Sequence, residues 1–155
     1  MKKTPHHKPS AVDVLNESQK LAKMGSWNYN LVDNTVEWSD GLFRLLGCEV
    51  GSVEPSPELY TEHIHPQDRQ GVWEEFNRCL SEKQDFRMEY RILRKDGSQI
   101  SVEAMSENYF SEAGVPVFNS GYIRDITESK RAALFTQQVL NASSTIDGAT
   151  YFEQL

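Results

Sequence analysis

The chain has 155 residues, 38% of them hydrophobic and 25% charged, with a formal net charge of −7. That length suits one domain with flanks, and the acidic balance argues against a nucleic-acid binder or a protein of membrane surfaces, which rely on basic patches. No apolar run nears the roughly 18 residues that cross a bilayer, and Met1–Ser10 lacks the apolar centre of a signal peptide, so a cytoplasmic protein is expected.

Met1–Ser10 is polar, carries two prolines and is expected to be disordered; His6 and His7 have no third ligand nearby and are not expected to hold a metal. Ala11–Met24 reads as a short amphipathic helix with Val14, Leu15, Leu21 and Met24 apolar and Gly25 as its stop. Ser26–Leu31 alternates, placing Trp27, Tyr29 and Leu31 on one strand face. Asp33 and Asn34 turn the chain, and Thr35–Trp38 returns as a second strand. Ser39 or Asp40 can cap a helix through Leu46, closed by Gly47.

A loop with Pro55 and Pro57 leads into a short helix through Ile64. Pro66–Ser81 then reads as a helix with Val72, Phe76 and Leu80 on one face, flanked by Trp73 and Cys79. Gly71 inside it is either a weakness of roughly 1 kcal/mol or the mark of a close approach to the backbone. Cys48 and Cys79 are read as free thiols with packing roles.

Asp85–Leu93 and Gln99–Phe110 are predicted strands joined through Asp96-Gly97. Counting by two from the turn puts Phe86, Met88, Tyr90 and Ile92 on a core face with Ile100, Val102, Ala104 and Ser106. Arg87, Glu89 and Arg91 face outward with Ser101, Glu103 and Glu107. In the last strand, Val117, Asn119, Gly121 and Ile123 alternate with Phe118, Ser120, Tyr122 and Arg124. Its end runs without a loop into a helix from Glu128, with Thr127 as the expected cap. The outline, one sheet with helices on one face, is α+β.

Gly25-Ser26-Trp27, Trp38-Ser39, Leu46-Gly47, His65-Pro66-Gln67-Asp68-Arg69, Glu89-Tyr90-Arg91, Lys95-Asp96-Gly97-Ser98 and Gly121 with Asp125-Ile126-Thr127 follow one another in order over about a hundred residues. Taken together, residues 25–127 resemble a PAS domain of the subclass with a paired PAC motif. The resemblance implies a five-stranded antiparallel sheet in the order 2-1-5-4-3, helices over one face around a small cavity, and flanking N- and C-terminal helices. It also implies a sensing or dimerisation module coupled to an output domain such as a histidine kinase or diguanylate cyclase. Two positions depart from the family pattern: Ser101, where a tryptophan is usual, and Asn119, where an apolar residue is usual.

Residues expected to line the implied cavity are Phe43, Leu46, Val72, Trp73, Phe76, Met88, Tyr90, Ile92, Val102, Ala104, Ser106, Asn119 and Ile123. Gly121, Asp125 and Thr127 are the expected signal exit. No cofactor is expected: His63 and His65 read as loop-fixing residues rather than haem ligands, and the Asn-Cys-Arg sequence of photoactive flavin relatives is missing. A small ligand of unknown identity remains the expectation, with Asn119, Ser106 and Tyr90 as inward polar groups that need partners.

The segment is not expected to be an enzyme, having no phosphate loop, paired zinc ligands or nucleophile elbow. A ligand-free dimerisation or spacer module is the alternative, and a small cavity-bearing isomerase or hydrolase the third. A homodimer is expected through the N-terminal helix and the outer sheet face. Beyond Arg131, Ala132, Phe135, Val139, Ala142 and Ile146 follow a two-helix seam spacing. Thr145–Leu155 reads as the start of another helix, faintly like the opening helix of a GAF domain, in a chain cut from a longer protein.

Overall fold

The computed structural model describes residues 8–152, with side chains through residue 146. The expected disorder of Met1–Ser10 and the His6-His7 pair fall largely outside the described residues. Ser10 is described, and it is a helix cap rather than tail. Its hydroxyl accepts from Asp13 N at 3.1 Å and its own N–H donates to Asp13 Oδ2 at 2.9 Å. This reciprocal capping box starts α1 (Ala11–Leu21).

α1 ends before Met24 because Lys23 adopts a left-handed φ of 51°, and Met24 instead opens β1 (Met24–Asn30). Gly25 is therefore not a helix stop. It is a strand glycine chosen for contact: a Cβ there would lie 2.5 Å from Leu42 N and Cα. The expected apolar face of α1 is not what the fold covers. Val12, Val14, Leu15 and Leu21 are exposed, and the helix's one buried residue is Gln19, whose amide donates to Ser26 Oγ at 3.0 Å.

β2 (Thr35–Trp38) pairs with β1, and Ser39 caps α2 (Asp40–Leu45) as expected. α3 (Pro57–His63) starts on Ser56, whose hydroxyl accepts from Leu59 N at 3.0 Å. α4 (Arg69–Glu82) begins three residues later than the sequence predicts. Pro66-Gln67-Asp68 form a turn, and the Asp68 carboxylate is drawn away from the helix end to Arg91. β3 (Phe86–Leu93), β4 (Gln99–Phe110) and β5 (Pro116–Asp125) complete one antiparallel sheet in the order β2-β1-β5-β4-β3. That is the order the family resemblance implies.

Alternation along β3, β4 and β5 runs as the two-residue period dictates. Phe86, Tyr90, Ile92, Val102, Ala104, Ser106, Asn119 and Ile123 are buried, while Phe118 and Tyr122 are exposed. On the outer face Glu103 accepts from Arg87 at 3.0 Å and Arg124 at 3.1 Å, which holds its carboxyl below the ordinary range. Gly71 meets nothing closer than Met88 Cε, 3.9 Å from a built Cβ, so the suspected close approach is ordinary packing.

The chain divides into two compact units, the first ending at Asp125 and the second starting at Ile126. In the second, α5 (Thr127–Phe152) is one continuous helix of 26 residues, about 39 Å long. Thr127 is its first residue. The separate helix expected from Thr145 is the continuation of α5; its Tyr151, Phe152 and Leu155 side chains lie outside the described residues. Leu134, Phe135, Val139, Leu140 and Ile146 are exposed along it. Among the described residues no helix is long and apolar enough to cross a membrane.

Candidate functional site

One row of residues crosses all five strands: Trp38, Trp27, Gly121, Ser106 and Phe86 are successive cross-strand partners. The next row holds Val36, Tyr29, Asn119 and Asn108. Gly121 sits mid-row because the Trp27 ring lies across it. A Cβ there would be 2.7 Å from Trp27 Cζ2 and 2.5 Å from Ser106 Cβ. With its ring laid along the sheet, Trp27 donates from Nε1 to Asn119 Oδ1 at 2.8 Å.

Asn119 is fully buried, and its bonding capacity is used inside the protein. Besides accepting from Trp27, its Nδ2 donates to Ser106 Oγ and Asn108 Oδ1, each at 2.8 Å, and lies 3.3 Å from Glu107 O. The departure from an apolar residue at this position is thus matched by a polar set on three neighbouring strands. Ser106 belongs to that set, whereas Tyr90 does not. Tyr90 Oη instead lies 2.5 Å from Tyr60 Oη on α3, a contact spanning thirty positions that the sequence reading missed. Burial, chiefly, pushes both hydroxyls upward, so both stay protonated.

Over these two rows the helices leave a cavity of about 60 Å³. Leu42 of α2, Ser56, Pro57 and Tyr60 around α3, and Val72, Trp73 and Phe76 of α4 form its roof. Trp27, Tyr29, Val36, Trp38, Phe86, Tyr90 and Asn119 form the sheet side. All three tryptophans of the chain face this one space. Edge-on aromatic contacts brace it, with Trp38 and Tyr60 centroids 6.4 Å apart and Trp73 and Phe76 5.4 Å apart. Among the described residues no Asp, Glu, Lys, Arg or His belongs to the lining.

Of the residues expected at the cavity, Val72, Trp73, Phe76, Tyr90 and Asn119 line it. Phe43, Leu46, Ile92, Val102, Ala104 and Ile123 are core residues elsewhere, Met88 packs beside them, and Ser106 reaches the cavity only through Asn119. The Gly25–Leu42 contact packs α2 against the row that holds Gly25, Ile123 and Ala104. The space lies among Trp27 and Tyr29 of β1, Val36 and Trp38 of β2, Phe86 and Tyr90 of β3 and Asn119 of β5. Trp27 and Tyr29 were legible as one strand face, while Val36 and Trp38 were legible only as part of the second strand; nothing in their spacing says that the helices leave a space over them.

The His65–Arg69 motif is built for a different task. β3 is an edge strand, and His65 N donates to Arg91 O at 2.9 Å. Asp68 Oδ2 accepts from both Arg91 N and Nε at 2.9 Å, and Oδ1 accepts from Nη2 at 2.7 Å. This clamp covers part of the free edge, and the Arg91 bonds hold the Asp68 carboxyl below its ordinary range. Arg69 donates to the Ile64 and Glu62 carbonyls, and His65 Nδ1 accepts from Gln67 N at 3.1 Å. His63 and His65 both lie off the cavity. Among the described residues no histidine lines the space. Among the described residues no cluster of three His, Cys, Asp or Glu could hold a metal ion.

A family model described as PAS fold matches residues 35–123. The chain belongs to the PAS fold family. Its sequence is 24% identical over 140 residues to the probable diguanylate cyclase DgcE of Escherichia coli, covering 89% of this chain and 12% of that protein. It is 28% identical over 109 residues to the sensor protein FixL of Bradyrhizobium diazoefficiens, covering 70% of this chain and 21% of that one. Among solved structures, a sensory box histidine kinase/response regulator from Burkholderia thailandensis superposes with a TM-score of 0.67. Its identity is 24%, and the match covers 83% of this chain and 98% of that chain. The chain therefore spans only 12% and 21% of the length of these two curated relatives.

Proposed function

We propose that this chain is the PAS sensor module of a longer signalling protein, with residues 25–127 as the sensor and the helix beyond as the linker to an output domain. The observation that carries this reading is the uncharged aromatic cavity whose floor residue, Asn119, lies on β5, the strand that continues into α5. Its ligand is a small uncharged molecule of a few heavy atoms. An engineered cavity of about 150 Å³ holds benzene, so 60 Å³ admits less than that. The relatives carry histidine kinase or cyclase names, and an output of one of those kinds follows by analogy. In this reading Gly121, Asp125 and Thr127 mark the route by which a change at Trp27 and Asn119 reaches the exit helix.

The same reading makes the module a homodimer in the cytoplasm. Exposed Val12, Val14, Leu15 and Leu21 of α1 stand beside a groove of about 800 Å³, lined by α1 and by outer-face residues such as Met105 and Tyr122. A second copy of this surface is the proposed occupant. A ligand-free dimerisation module is the second reading, favoured by the complete internal pairing of Asn119. An isomerase or hydrolase would need an acid–base pair, and the titratable groups of the lining are tyrosines.

Because every tryptophan lines the cavity, intrinsic fluorescence reports directly on it. Titration with short neutral alcohols, ketones and amides of graded size should shift the emission and raise the melting temperature, with the effect lost once the probe exceeds the cavity. No response to any probe would favour the ligand-free module. Sedimentation of the protein and of Leu15→Glu tests the dimer separately; a monomer at high concentration would sink it.

A further inference from the structure

The two cysteines are both buried but meet opposite chemistry. Cys79 on α4 is 1% exposed; its thiol faces Asp85 O at 3.6 Å and Glu75 Oε1 at 3.7 Å, and its sulfur accepts from Arg78 Nη2 at 3.7 Å. Burial first, then the Glu75 charge, pushes that thiol upward, away from the nucleophilic thiolate.

Cys48 faces a base. Its Sγ lies 4.0 Å from His63 Nε2, and His63 Nδ1 lies 2.9 Å from the Leu93 carbonyl oxygen. A carbonyl can only accept, so Nδ1 carries the hydrogen and the neutral ring keeps its lone pair on Nε2, toward the thiol. Nucleophile, base and a third group that orients the base are the parts of an activated thiol.

Three elements hold this geometry. Gly47, at a φ of 76°, turns the chain at the end of α2, and Cys48 N closes on Phe43 O at 2.9 Å. From the β3–β4 hairpin, Arg94 donates to Leu45 O and Arg44 O, and Lys95 N donates to Leu46 O at 3.0 Å. Leu93, next to Arg94, thereby brings the carbonyl that orients His63. The imidazole is half-buried, Cys48 is 6% exposed, and neither residue lines the aromatic cavity. A small reagent is therefore the one that fits.

We propose that Cys48 and His63 form a peroxide-reactive thiol site, independent of the cavity. His63 Nε2 takes the thiol proton, and the sulfur attacks the nearer peroxide oxygen. An S–O bond forms as the O–O bond breaks, and the departing hydroxide takes the proton from His63 and leaves as water. Sulfur is oxidised by two electrons to the sulfenic acid, and peroxide is reduced to water.

The test treats the full chain with dilute hydrogen peroxide and dimedone, a sulfenic-acid trap, and follows each cysteine by peptide mass spectrometry. Cys48 should be labelled at least about tenfold faster than Cys79, and His63→Gln should slow Cys48 about tenfold or more while Cys79 is unchanged. A merely structural role for His63 predicts the reverse, since loosened packing would expose Cys48 and speed its labelling. Equal rates at the two cysteines overturn the proposal, as does a Cys48 rate that His63→Gln leaves unchanged or raises. Should His63→Gln fail to fold, the comparison of the two thiols in the unaltered protein decides alone.

Discussion

Replacing Asn119 with leucine tests the polar set at the centre of the sheet. The substitution preserves bulk but strands the Trp27 indole N–H and the Ser106 hydroxyl, which Asn119 now meets at 2.8 Å each. Ser106 is buried and Trp27 partly so; Asn108 is nearer solvent and can turn to water. A stranded buried polar group costs about 1–3 kcal/mol, so two give a loss of about 2–6 kcal/mol. Against a typical total of about 5–15 kcal/mol that is a large share. Urea denaturation followed by tryptophan emission measures it. Trp27→Phe removes the donor from the other side, and the double variant should cost less than the sum of the singles by about 1 kcal/mol or more. Costs that add fully, or a single-variant loss below about 1 kcal/mol, would refute the view that this network holds the sheet centre together.

Three other expectations use the same measurement. Gly25→Ala places a methyl 2.5 Å from the Leu42 backbone and should cost about 3 kcal/mol, since neither β1 nor α2 can yield without moving the other. Tyr90→Phe leaves the Tyr60 hydroxyl without its partner at 2.5 Å and should cost about 1–2 kcal/mol, with the Tyr60→Phe/Tyr90→Phe pair costing less than the two singles together. Asp68→Asn should cost about 1–3 kcal/mol at neutral pH. The native Asp68 carboxyl is lowered, so its contribution is complete above the unfolded value near about 3.9 and fades as pH falls through the native value. The stability gap between the parent and Asp68→Asn should therefore close in acid, as urea curves at descending pH would record.

The hairpin of β3 and β4 was readable residue by residue because one period, two, decides which side chains face the core, and Asp96-Gly97 pins the count. The helix start at Ser39 was readable for a similar reason: a hydroxyl cap acts within three residues. What the sequence could not place was anything decided by helix-on-sheet packing. The cavity is closed by residues of four strands and three helix regions, from Trp27 to Asn119, which only the packed fold brings together. Tyr60–Tyr90 and Asp68–Arg91 are likewise long-range, and no local pattern announces them. Met24 shows the limit of periodicity itself. It fits the helical spacing of α1, yet the turn at Lys23 gives it to the sheet.

The polar network also bears on how a small ligand could matter. Trp27 is held on two sides, by the hydrogen bond to Asn119 and by the absence of a side chain at Gly121 beneath its ring. A molecule that displaces the indole must therefore give up that bond or shift β5 with it. Either change costs about 1 kcal/mol, the net worth of a typical internal hydrogen bond. Coupling between a ligand site and a distant output is typically about 1–3 kcal/mol, so the Trp27–Asn119 link is of the size such a relay needs. A leucine at position 119, the ordinary kind of residue for that place, would leave a tryptophan free to move without telling β5. Under the proposed function, Asn119 is what ties the cavity to β5, the strand that continues into α5.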